Sequence, residues 1–115
     1  MAKTPAHRKQ VADLIAGLGT KVTFHSADPG ITGANQIATT PASGTTVWAA
    51  ATDDGTKATA AGTPVTLQVP ASTTVSHYGI WNGSTFLRGG PFDASITVNA
   101  NGPVNVDGTP RLTYE

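Results

Sequence analysis

The 115-residue chain contains no cysteine. Disulfide frameworks, cysteine-bearing zinc sites and thiol catalysis are excluded, and the redox compartment leaves no mark on it. Charge is also scarce: 12% of residues are charged, about half the usual share, and 7 basic residues balance 7 acidic ones. That balance offers no footprint for nucleic acid or an anionic membrane. No apolar run of signal-peptide type follows "MAKTPAHRKQ". None approaches the ~20 residues of a membrane span. The chain therefore reads as one made and folded in a cytoplasm. Walker, G-x-G-x-x-G, G-x-S-x-G and H-E-x-x-H motifs are missing too.

What is present is threonine, alanine and glycine, the three commonest residues. Hydroxyls and backbone, rather than charge, keep such a chain in water. Its length suits one domain, residues 1–115, burying roughly two thirds of the surface its unfolded form exposes. That supports one modest core and leaves little room for a deep active site.

The first segment predicts a short helix over about residues 5–18. Thr4 suits the N-cap and Pro5 the first helical position, where no N–H is needed. Val11, Leu14, Ile15 and Leu18 follow i, i+3, i+4, i+7 spacing and form the expected docking face. That face packs on its own domain or on a neighbouring subunit. Arg8, Lys9 and Asp13 fall on other faces, and Gly17 and Gly19 offer left-handed positions to stop the helix.

From about residue 20 the period becomes two. "KVTFH" places Val22 and Phe24 on one face and Thr23 on the other, as in a half-buried strand. "TTVWAAA", "KATAAG", "PVTLQVP", "TTVSHYGIW", "TFLRGGPF", "SITVNA" and "VNVDG" read as further strands, and "RLTYE" closes the chain. "DDGT", "NGS" and "NGP" read as turns, with Asn82-Gly83 suited to a type I′ hairpin. One helix and about seven to nine short strands predict a mainly β fold, an antiparallel sandwich or barrel. Trp48 and Phe86 are expected in its core. Tyr78 and Trp81, three positions apart on a strand, are expected on opposite faces.

The most conspicuous stretch is "HSADPGITGANQI", residues 25–37. A Ser–His enzyme needs a base, a nucleophile and an orienting group. His7, His25 and His77 are the only histidines, and Ser26, Ser76 and Ser84 sit in no nucleophile elbow. Asp53, Asp54, Asp93 and Asp107 fall in predicted turns, where aspartate bonds its own backbone. His25, Asp28 and His77 have no recognised metal spacing. "RGGPF" has no helix after it to cradle phosphate, so it reads as a bulge or close backbone contact. No catalytic, metal or cofactor residue is assigned. His25, Asp28, Pro29, Gly30 and Asn35 are expected to form an ordered loop that fixes the first strand relative to the rest and is a candidate contact with a neighbouring subunit. Pro29 presets φ, Gly30 takes the left-handed position and Asn35 bonds nearby backbone.

Three elements in order carry a resemblance: the helix "AHRKQVADLIAGL", then "VTFHSADPGITGANQI", then "VPASTTVSHYGIWNGSTFLRGG". The chain resembles small structural proteins from the virion gene clusters of tailed phages, especially those of actinobacteria. These are usually described as minor tail or tail-fibre-like proteins. Between Ile37 and Val47 it departs from that pattern, carrying only "ATTPASGTT". The resemblance implies a β-rich, non-enzymatic virion component, made in the host cytoplasm. It supplies no ligand residues. Low charge and modest length further suggest a homo-oligomer, with a trimer favoured, bound to tail or major capsid proteins. The alternatives are a decoration protein on the outer capsid surface and a carbohydrate-binding module for host-surface glycans.

Overall fold

A computed structural model describes residues 2–99 and 102–115. It is mainly β. One helix, α1 (Pro5–Gly17), precedes nine strands: β1 (Lys21–His25), β2 (Gly44–Thr45), β3 (Thr52–Asp53), β4 (Ala58–Ala61), β5 (Val65–Val69), β6 (Thr73–Asn82), β7 (Thr85–Val98), β8 (Val104–Gly108) and β9 (Arg111–Tyr114). All pairings are antiparallel. They form a four-stranded sheet β2-β1-β6-β7, a three-stranded sheet β3-β4-β9 and a two-stranded sheet β5-β8. None of the described helices is long and apolar enough to cross a membrane.

The main core follows the period-two pattern of the strands. Val22 and Phe24 of β1 meet Val65, Leu67 and Val69 of β5, with Tyr78 and Ile80 of β6. Phe92 of β7 packs edge-on to Phe24 at 5.5 Å. A second cluster lies beneath α1. Ala12 and Ala16 pack on Ala58, Ala60 and Leu112, with Ile15 and Tyr114 at the margin. Trp48 touches both clusters, and its indole N–H donates to the Gly19 carbonyl at 3.0 Å.

The helix starts as its sequence predicts: the Thr4 hydroxyl accepts from the His7 amide at 3.2 Å, and Pro5 follows. Its docking face differs from the expected stripe. The buried residues are Arg8, Ala12 and Ala16, whereas Leu14 is 67% and Leu18 52% exposed. Val11 and Ile15 are only half buried. Size is the reason. The i, i+4 pair Ala12 and Ala16 lets the helix backbone come close to the alanines of β4, and leucines there would hold it away. Arg8 belongs to the buried face because Asp53 receives it: Nε and Nη2 donate to the two carboxylate oxygens at 2.6 and 2.9 Å. The remaining Nη1 donates to the Lys3 carbonyl. The pairing holds the Asp53 carboxyl below the usual carboxylate range. Asp13, on the helix flank, accepts the Ala51 amide at 2.8 Å. Leu18 closes the helix in the right-handed region, and neither Gly17 nor Gly19 is left-handed. Gly19 serves instead as a close contact, since a Cβ there would lie 2.8 Å from the Trp81 carbonyl.

Three strand expectations also change. "TTVWAAA" does not form a continuous strand, because it crosses between sheets. Thr46 donates its amide to Thr20 beside β1, and Ala49 donates to Ala61 beside β4. "SITV" is not separate but the far end of β7, whose 14 residues run along β6 with two register shifts. The β6–β7 hairpin pairs Asn82 with Thr85, so its loop is Gly83-Ser84. Positive φ occurs at Gly83 alone, the type II′ arrangement rather than I′. In "DDGT", Asp54 accepts the amides of Thr56 and Lys57, which draw its pKa down to about 2. The turn expected at Asn101-Gly102-Pro103 begins outside the described residues.

Candidate functional site

The conspicuous loop begins where β1 ends and returns to the same point. His25 bridges Gln36, Ser26 donates its amide to the Asn35 carbonyl, and Ile37 donates to Phe24. Residues 26–36 are therefore a closed loop with adjacent ends. Inside it, Asp28 Oδ1 accepts the Gly30 amide at 2.9 Å, an Asx turn. The Pro29 carbonyl accepts the amides of Gly33 and Ala34. Asn35 sits at φ 63°, a left-handed position asparagine tolerates, and its side-chain amide donates to the Asp28 carbonyl at 3.0 Å. The expected turn chemistry of Asp28, Pro29, Gly30 and Asn35 is what the structure uses.

This loop folds over the outer face of the four-stranded sheet. Thr23 and His25, on the face of β1 opposite the core, are 1% and 0% exposed for that reason. Two strand glycines make the space. A Cβ on Gly79 would lie 2.7 Å from both His25 Nε2 and Thr23 Oγ1. One on Gly89 would run into the ring of the buried Pro29. Gly33, at φ 78°, brings the loop backbone against the Trp81 and Phe86 rings. Phe86 is thus outside the main core: it stacks edge-on with Trp81 at 5.1 Å beneath the loop. The expectation of a core Phe86 fails because the bulge between Ile80 and Trp81 sets that part of the hairpin out of simple alternation. Tyr78 and Trp81 do lie on opposite faces, with Tyr78 against Phe92 in the core.

A single hydrogen-bond relay runs through the site. The Trp81 indole N–H donates to Thr23 Oγ1 at 2.9 Å. Thr23 Oγ1 lies 2.7 Å from His25 Nε2, and His25 Nδ1 lies 2.7 Å from the Ala34 carbonyl. A carbonyl only accepts, so Nδ1 carries the proton. Nε2 then accepts from the threonine hydroxyl, and every polar atom of the relay is satisfied once. A second proton on the imidazole would put two donors on Thr23 Oγ1. Burial lowers the His25 pKa from its ordinary value, and nearby His77 lowers it further, against the raising effect of the Ala34 carbonyl. His25 is therefore a neutral structural histidine. Both of its nitrogens are committed.

His77 is the cross-strand partner of His25. Its Nδ1 lies 2.7 Å from Ser76 Oγ, the one serine–histidine contact among the described residues. Among the described residues no carboxylate orients His77, and no group of three His, Asp or Glu side chains gathers to hold a metal. The His25–Asp28–His77 constellation does not assemble: Asp28 is exposed and turned to its own loop, while His25 faces Thr23 and Ala34. Sequence reasoning missed the partners Thr23, Trp81 and Gly79. The signal was present in part, since the glycines of "HYGIW" and "RGG" interrupt strands and so announce close backbone approach. No family model matches this chain, and no curated protein or solved structure shows significant similarity to it.

Proposed function

We propose that this chain is a non-enzymatic structural component of a bacteriophage virion. In this reading it is a minor tail or tail-fibre-like subunit that assembles with copies of itself. One observation carries the reading. The residues through which the sequence resembles such proteins are those that pin the loop to the sheet: His25, Pro29, Gly79, Trp81 and Gly89. They are engaged in architecture, and the loop they fix carries Ile31 at its surface, 94% exposed. Leu14, Leu18 and Val47 are exposed as well. A rigid loop and outward apolar side chains suit contacts between packed subunits.

Sedimentation of the purified chain should give a multiple of its 11.7 kDa mass, with a trimer expected. Monomer alone at high concentration would contradict self-association. Gold labelling of an epitope-tagged copy in purified virions then locates the subunit. Label on the tail supports the tail reading. Label spread over the shell would make the chain a capsid decoration protein, and unlabelled virions would refute both.

A further inference from the structure

The four-stranded sheet ends at β7 and the two-stranded sheet ends at β8. These strands are consecutive in the chain, yet among the described residues no ladder joins them. A cleft of about 420 Å³ runs between them, lined by Ile96, Val98, Val104 and Val106. A second of about 210 Å³ continues the seam past Phe92 and Gly108. Val98 and Val106 belong to the main core, so the seam opens directly onto it. Ile96 is 43% and Val104 39% exposed.

We propose that this seam is a docking site for an extended peptide strand of a partner protein, a strand of alternating β-branched residues carrying one basic side chain. The backbone chemistry selects the occupant. Two strand edges border the cleft, and among the described residues their N–H and C=O groups lack ladder partners on that side. An apolar small molecule would cover these groups without bonding them, whereas an extended backbone satisfies both edges. The valine and isoleucine lining matches β-branched side chains on alternate positions. Charge selects further. The only charged side chains of the lining are Asp93 and Asp107. Arg111 reaches Asp93 at 3.0 Å, and the Thr66 hydroxyl donates to Asp107, which has no cation partner among the described residues. A lysine or arginine of the partner fits beside Asp107. A second copy's β7 does not suit the gap, because one of its edges is already paired with β6 and it could satisfy only one side.

The probe is an acetylated hexapeptide, lysine followed by alternating valine and threonine, titrated into the isotope-labelled full chain. Chemical-shift changes are expected along residues 93–98 and 104–107, with slowed amide exchange there. Methylating alternate backbone nitrogens of the peptide should weaken binding about tenfold or more, the value of roughly one net hydrogen bond. Replacing its lysine by glutamate should weaken it less, and Asp107→Asn should erase the difference between lysine and glutamate peptides. The proposal is overturned by any of three results: no shifts at millimolar peptide, equal binding of the methylated peptide, or seam amides already protected in the free chain at high concentration. The last would mean that a second copy fills the seam.

Discussion

The core around Phe24 and the core beneath α1 meet at Trp48, yet they are built from side chains of different size. The first is filled by valine, leucine, isoleucine and aromatics from paired strands. The second is mostly alanine, from a helix laid on a short sheet. Large side chains stabilise the first by the area they bury. Small ones stabilise the second by letting backbone approach backbone, with the Arg8–Asp53 pair sealing its edge. One region is therefore sensitive to losing atoms and the other to gaining them.

The largest effect is expected in the aliphatic core. Leu67 is 1% exposed, and Leu67→Ala should cost about 2–5 kcal/mol in denaturant unfolding. A loss near that of an exposed leucine would mean that the core is not packed as described. In the alanine core the opposite change matters. Ala60 is fully buried, and Ala60→Leu should cost about 1–3 kcal/mol by overpacking. Its circular dichroism should show helix loss before strand loss, because α1 is the element displaced. A neutral or stabilising Ala60→Leu would leave the size contrast without support.

The same contrast explains what the sequence made legible. Strand periodicity located "KVTFH", "PVTLQVP" and "TTVSHYGIW" because large apolar residues recur there on the core face, although the loop buries the other face of "KVTFH" as well. The helix docking face was misread because the stripe of Val11, Leu14, Ile15 and Leu18 was weighted by size, while burial went to Ala12 and Ala16. Nothing in a one-dimensional pattern shows that Asp53 receives Arg8 across 45 positions of chain. The loop's internal turns were legible from Asp28, Pro29, Gly30 and Asn35, since each acts on backbone close by in sequence. Its docking on the sheet depends on distant residues, Gly79, Trp81 and Gly89, and was visible only as glycines out of place.

Smaller effects separate the two layers of the loop. Asp28→Ala removes the bond to the Gly30 amide and should cost about 0.5–1.5 kcal/mol. Faster exchange of the Gly30 amide, and weaker self-association if the loop is a subunit contact, should accompany it. An unchanged exchange rate and an unchanged assembly would remove Asp28 from the account.

His25 contributes one part of the pH dependence, apart from the depressed Asp53 and Asp54 carboxyls. Its pKa is lowered on folding, so the folded state prefers the neutral ring. The resulting stabilisation is complete above about pH 6.5, the unfolded value. It declines as pH falls from there towards the folded value, because the unfolded chain then binds the proton and the folded chain does not.

The central claim is that the conspicuous loop is fastened architecture, with His25 as its neutral fastener. Nitrogen NMR of the histidine side chains, followed through a pH titration, tests it most directly. In the protein folded at neutral pH, His25 should hold its proton on Nδ1 and titrate below its ordinary value while the Trp81 indole proton stays hydrogen-bonded. A His25 protonated on Nε2, or titrating at or above the ordinary value, would contradict it.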